Sequence, residues 1–369
     1  MSDRLMVATR KGLFDLRRRR EGWAIAQRAF LGQPVSMVFA DPRDDALYAA
    51  LALGHFGVHL HRSDDDGKTW REIAAPAFAK VASESDEAST PSDAAKAPSV
   101  SLIWSLESAG ADNPGALWAG TIPGALFRSD DRGESWRLIE SLWNRPERTQ
   151  WNGGGYDQPG IHSLCVDPRD SRRLALAVST GGVWLSDDAG ASWRLGGPGM
   201  YAEYMPPEGR EDPLAQDVHR LVQSPTNPDV LWVQHHNGVF RSTDRAASWQ
   251  EVKAIAPAKF GFAVAVHPRD PQTAWYAPAV KDECRIPVNG AVVVARSNDG
   301  GRSFTIQRDG LPQHEAYDLI YRHGLDVDDS GQRLALGSTT GNLWLSENGG
   351  ERWQRFDANL PPIACLRFG

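Results

Sequence analysis

SDDDGKTW (63–70), SDDRGESW (129–136), SDDAGASW (186–193), STDRAASW (242–249), SNDGGRSF (297–304) and SENGGERW (346–353) are six variants of one octet. They recur at intervals of roughly fifty to sixty residues, and self-similarity at such a period marks stacked supersecondary units. An apolar strand signal precedes the octets, as in GALFR from Gly124, GGVWL from Gly181, NGVFR from Asn237 and GNLWL from Gly341, and a short strand follows each one. Inner-strand patterns such as VSMVFADP, IHSLCVDP, VHRLVQSP and FAVAVHP open the units and end in Pro- and Asp-rich turns. Second strands such as RLALAVS, VLWVQH and RLALGST come next. Four short antiparallel strands per unit, rich in β-branched and aromatic residues, predict an all-β propeller.

Third-strand hairpins at Gly12, Gly57, Gly124, Gly182, Gly238, Gly290 and Gly341 set the blade number at seven. The chain starts with LMVATR, GLFDL and WAIAQ, which read as second, third and fourth strands, and finishes with IACLRF, an inner strand without partners. The last blade is therefore expected to close with three N-terminal strands and one C-terminal strand, which covers otherwise open edges. Residues 1–369 read as a single propeller domain. The Ala-, Ser- and acid-rich stretch over 76–98 has too little apolar surface to offset its ordering entropy and is expected to be a disordered surface loop.

Within the octet, Asp65, Asp131, Asp188, Asp244 and Asp299 are expected to accept hydrogen bonds from their own turns, with Gly supplying positive φ. The closing aromatic would drop between sheets, and each turn would contribute ~1–2 kcal/mol. Asn348, Ala246 and Arg352 mark where the octet tolerates change. These octets resemble Asp boxes, so over essentially its whole length the chain resembles the BNR/Asp-box propellers. Longer stretches, among them WNGGGYDQPGIHS, QHHNGVFRSTD and AYDLIYRHGLDVD, resemble a bacterial branch of that superfamily whose members carry exo-sialidase or glycosyl hydrolase labels. The resemblance implies fold strongly and function weakly, because in that family the boxes sit at the blade periphery.

Net charge is −7 with both signs interspersed, which excludes a nucleic-acid or anionic-membrane partner as the default. The basic run Arg17–Arg20 reads as a solvated turn. No stretch is apolar for long enough to span a membrane, and the N-terminus lacks a signal-peptide core, so a soluble cytoplasmic protein is expected. Of three scattered cysteines, Cys165 and Cys365 lie in apolar strand contexts and read as reduced core residues.

The long connections over 144–160, 196–217, 279–289 and 308–321 all fall on the face carrying second-to-third and blade-to-blade loops, which places the site at that mouth. Alignment of inner strands puts His162, His219 and His323 at one position, hence on one ring near the axis. His235 and His236 lie in a second-to-third loop, and Glu203, Asp217, Asp282 and Glu283 come from the same face. Such a set could relay protons, could ligate Zn²⁺, Mn²⁺, Fe or Ni through His162, His219 and His323, or could simply bond blade edges together. Arg285, Arg322 and Lys281, with Tyr201, Tyr204, Tyr317 and Trp151, suggest a clamp for a carboxylate beside a ring platform, or else ion pairs to Asp282, Glu283 or Asp318 and ordinary loop packing.

Three functions stay open: a hydrolase or lyase acting on a small polar or anionic, possibly carbohydrate, substrate; a non-catalytic propeller binding a protein or ligand; and a metal-dependent form of the enzyme. Sialidase chemistry is disfavoured. The resemblance would require three arginines, a Tyr–Glu nucleophile pair and an Asp acid on six blades, whereas Arg285-Ile286-Pro287 follows the fourth octet of a seven-bladed ring.

Overall fold

The computed structural model describes residues 1–79 and 98–369. Seven four-stranded antiparallel sheets form the blades. Blade 1 pairs Ile363–Phe368 with Arg4–Thr9, then Gly12–Arg19 and Gly22–Ala29, so strands from both ends of the chain close the ring as expected. Blades 2 to 7 each run from an inner to an outer strand in chain order. Their inner strands are Val35–Ala40, Leu102–Ser108, Ile161–Val166, Val218–Gln223, Gly261–Val266 and Leu325–Val327.

The core lies between blades rather than within them, because a sheet must bury both faces against its two neighbours. One cluster joins Leu176 and Trp184 of blade 4 to Trp118 and Leu126 of blade 3, and another joins Val233 and Phe240 of blade 5 to Ala177 and Leu185 of blade 4. Octet aromatics fill these wedges, with Trp193, Trp249 and Trp353 buried in three of them.

The octets form as their residue types require. Ser63 Oγ donates to Asp65 Oδ1 at 2.8 Å and accepts from the Gly67 N–H at 2.9 Å. Asp65 also takes the Thr69 N–H on Oδ1 and the Thr69 hydroxyl on Oδ2, at 2.9 and 2.6 Å. The pattern repeats at Asp131, Asp188, Asp244 and Asp299. In the sixth octet Asn348 Oδ1 accepts from the Arg352 N–H at 3.0 Å and the Ser346 hydroxyl at 2.9 Å. With Arg in place of Ser or Thr there is no hydroxyl to receive, so an amide serves where the others need two carboxylate oxygens. Positive φ occurs at two successive positions, Asp66 and Gly67 in the first octet, so the residue before the glycine shares a strain that sequence alone assigns to glycine.

Several expectations need correction. Arg17–Arg19 lie on the Gly12–Arg19 strand rather than in a turn. Arg17 meets Asp66 of blade 2 at 2.7 Å and Arg18 pairs with Glu347 of blade 7, so the run ties blade 1 to both neighbours. In the segment expected to be a disordered loop, Pro76 is buried and Phe78 packs on Phe127 and Trp143, while 80–97 lie outside the described residues. Cys365 is buried with its Sγ 3.6 Å from Met37 Sδ, and burial pushes the Cys165 thiol up to about 12, which keeps it protonated. Among the described residues no helix is long and apolar enough to cross a membrane.

Candidate functional site

Inner strands carry a bulge at one recurring position. Pairing with the second strand slips between Val35 and Met37, Ile103 and Ser105, Ile161 and Ser163, and Val218 and Arg220, with a wider slip between Gly261 and Val264. A bulge leaves a residue out of the ladder and redirects its side chain. Ser36, Trp104, His162, His219 and Phe262 are the redirected residues, Ala364 is their counterpart in blade 1, and His323 precedes the inner strand of blade 7. All but His162 line one cavity of about 1330 Å³ at the mouth carrying the long connections.

The exception has a local cause. His162 Nε2 donates to Val218 O of blade 5 at 2.8 Å, and its Nδ1 accepts the Ser163 hydroxyl at 2.8 Å. Both nitrogens are spent, and complete burial drives its basicity well below the ordinary histidine range. His162 therefore bonds two blades together and is not brought to the cavity. In the next blade Arg220 replaces the serine, and His219 makes the seam bond with its other nitrogen, Nδ1 to Gly261 O at 2.6 Å. That leaves the Nε2 lone pair of His219 turned to the cavity.

Asp217, just before that strand, faces the lone pair. Its Oδ1 lies 3.7 Å from His219 Nε2 and its Oδ2 lies 3.3 Å from His236 Nδ1. The His236 N–H also donates to Asp217 O at 3.0 Å, which fixes the loop to the strand. Burial alone would raise the Asp217 pKa, but the two imidazoles outweigh it and hold the carboxyl well below its usual range. For His219 burial wins over Asp217 and its pKa is lowered, whereas for the less buried His236 the carboxylate wins and its pKa is raised. Phe262 stacks on His219 with ring centroids 4.3 Å apart, and Tyr204 and Phe260 meet His236 edge-on.

The donor atoms of Asp217, His219 and His236 lie within 4.8 Å of one another, so among the described residues these three form a group able to hold a metal. The expected trio of His162, His219 and His323 is not assembled. His323 lines the cavity with neither ring nitrogen partnered, and its basicity is driven down by burial. His235 points away from the cavity, accepting the Asn237 N–H at 3.0 Å and packing on Phe240, with its pKa pushed down to about 3 by burial.

The cations divide in the same way. Arg285 is bound to Asp282, with Nε to Oδ1 at 3.0 Å, and Lys281 to Glu283 at 3.4 Å. Glu203 pairs with Lys259 at 2.9 Å and takes no part in the histidine group. Arg322 is different. Its guanidinium lies 4.8 Å from the Trp104 ring centroid and 5.3 Å from that of Phe262, and its buried Nε has no hydrogen-bond partner. Asp318, a candidate partner for it, is instead occupied by Ser338 and Asn342.

Three expected aromatics also lie outside the cavity lining, Tyr201 among them: Trp151 is buried against Trp184, and Tyr317 is exposed with its hydroxyl on Glu315. Tyr201 donates to Glu251 at 2.7 Å. Sequence reasoning missed Trp104 and Phe262, although both hold the histidine position of their strands, and Tyr156 and Tyr321 at the rim.

Known proteins are similar in fold. A xyloglucanase of Hypocrea jecorina is 25% identical over 155 residues, which is 38% of this chain and 18% of that protein. A xyloglucanase of a Paenibacillus species is 28% identical over 141 residues, 35% of this chain and 13% of that protein. The chain thus spans under a fifth of the length of these curated relatives. Among solved structures, the GH74 xyloglucanase from Xanthomonas campestris aligns with a TM-score of 0.63 at 16% identity, covering 96% of this chain and 52% of that one. YCF48 bound to D1 peptide aligns with a TM-score of 0.52 at 14% identity, covering 88% and 81%. These likenesses establish the seven-bladed propeller architecture. No family model matches the chain.

Proposed function

We propose that the chain is a carbohydrate-active enzyme, a hydrolase or lyase, whose substrate is a small sugar bearing a carboxylate. One observation carries this reading: Arg322, a guanidinium without a hydrogen-bond or ion-pair partner among the described residues and lying on the faces of Trp104 and Phe262, shares a cavity with the Asp217–His219–His236 group. A half-buried cation with free N–H donors is suited to a carboxylate, and the flanking rings are suited to the apolar face of a sugar. Asp217 stays ionised and so cannot act as an acid; the three-residue group supplies the base. Arg285, paired with Asp282, stands 5.4 Å from the Phe262 centroid on the same wall. The xyloglucanases among the similar proteins support the carbohydrate class, and the octets support placing the chain with the BNR/Asp-box propellers. The test is turnover and equilibrium binding across matched pairs of sugar acids and their neutral analogues. Preference for the acids, lost in Arg322→Ala, is expected, and equal handling of both classes rejects the reading.

A second reading has its own support. Apart from Met1, the large exposed apolar side chains among the described residues, from Leu31 and Phe56 to Tyr156, Tyr204 and Tyr317, all sit on loops of this face. Such a face suits a protein partner, as does the likeness to YCF48 bound to D1 peptide. Binding of a protein through this face with no turnover of any sugar would favour it.

A further inference from the structure

We infer that Asp217, His219 Nε2 and His236 Nδ1 form a site for one divalent transition-metal ion, with its open coordination positions turned into the mouth cavity. The spacing is the first argument. Two donors bound about 2.1 Å from one cation at tetrahedral or right angles stand about 3.0–3.4 Å apart. Asp217 Oδ2 lies 3.3 Å from His236 Nδ1, inside that range, and Oδ1 lies 3.7 Å from His219 Nε2, a few tenths of an ångström beyond it; both distances exceed the ~2.7–2.9 Å of a charge-assisted hydrogen bond. As hydrogen bonds these contacts are poor, whereas a shared ion would need only a small inward shift of the Asp217 carboxylate to draw all three donors to bonding distance.

The second argument is the surroundings. His219 Nδ1 donates to Gly261 O at 2.6 Å, which fixes the tautomer with its lone pair on the inward nitrogen, the outer bond that metal-bound histidines make. Phe260, Phe262 and Tyr204 hold both rings, so little side-chain freedom is lost on binding. Two imidazoles and one carboxylate suit Zn²⁺, Fe²⁺ or Mn²⁺ better than Ca²⁺ or Mg²⁺, which prefer all-oxygen sets. Three protein ligands bordering a cavity match a site that keeps positions for water and substrate.

The inference rests on the proposed function only for its chemistry. An ion here would bind a water, lower its pKa, and make that water the base supplied by the group, with Arg322 holding the substrate carboxylate nearby.

The experiment titrates metal-free, full-length protein with Co²⁺ alone, followed by visible absorption, and with Zn²⁺ alone by calorimetry. One equivalent is expected to bind. Affinity should fall in Asp217→Asn and in His236→Ala by more than the ~10–100-fold that outer-sphere changes cost, while exposed His314→Ala binds as the parent does. His236 is partly exposed, so its variant tests the site even if Asp217→Asn fails to fold. Zn²⁺ should raise the melting temperature of the parent and leave His236→Ala unmoved. Absence of stoichiometric binding, or binding that survives in His236→Ala, overturns the site. Ion binding without turnover of any sugar acid would sink the proposed function alone, and turnover by protein that binds no ion would sink the metal site alone.

Discussion

His162 and His219 occupy the same bulged position on neighbouring inner strands but turn opposite ring edges to the next blade. His162 closes its seam through Nε2 and His219 through Nδ1. The residue that follows each one decides the difference, since Ser163 captures the second nitrogen of His162 and Arg220 leaves that of His219 free.

His162→Ala is therefore expected to be a stability variant. It empties a buried site and strips Val218 O of its donor, at a cost of about 2–4 kcal/mol. Urea denaturation should show the loss, while ligand affinity of the folded fraction stays at the parent value. A stable variant with weakened binding would contradict the division of roles.

Arg322→Ala should weaken binding of a sugar acid by about 10–100-fold, the worth of a charge-assisted hydrogen bond or two, and leave the neutral analogue unaffected. Arg322→Lys should recover only part of the loss, because an ammonium lacks the planar fork. Calorimetry on both ligand classes separates this outcome from a general loss of fold.

Gly160→Ala tests the aromatic floor. A Cβ there would lie 2.5 Å from Trp104 Cε3 and 2.6 Å from Ile122 Cγ1, so the indole beneath Arg322 must move. Overpacking of this kind costs about 1–3 kcal/mol, and anion affinity should fall with it. Unchanged affinity in a destabilised protein would show that Trp104 has no part in the site.

The octets set an acid limit. Asp65 and Asp299 are held down to about 2, chiefly by the hydroxyls of Thr69 and Ser303 and then by the backbone N–H of those residues. A carboxyl whose folded pKa is depressed contributes stability that is present above its unfolded value of about 4 and is lost as pH falls through the folded value. Stability should accordingly decline between about pH 4 and pH 2. Asp299→Asn combined with Ser303→Arg, the pairing already present at Asn348 and Arg352, should flatten that decline in denaturation curves recorded across the range; an unaltered slope would remove the octets as its source.

Blade number, strand order, ring closure and the chemistry of the octet were legible in the chain, because each depends on contacts within some ten residues or on a period that survives substitution. The mouth was legible too, since loop length and residue type mark it. The membership of the site was only half so: His219, His236, Asp217 and Arg322 meet there, whereas His162, His235, Trp151 and Tyr317 do not. A bulge turns one side chain out of a ladder without changing the apolar pattern, and a ring-nitrogen choice depends on one neighbouring hydroxyl. Tertiary structure decided those matters, because whether a polar side chain is spent on the next blade or left facing the cavity depends on which carbonyls and hydroxyls the closed ring brings within hydrogen-bond distance.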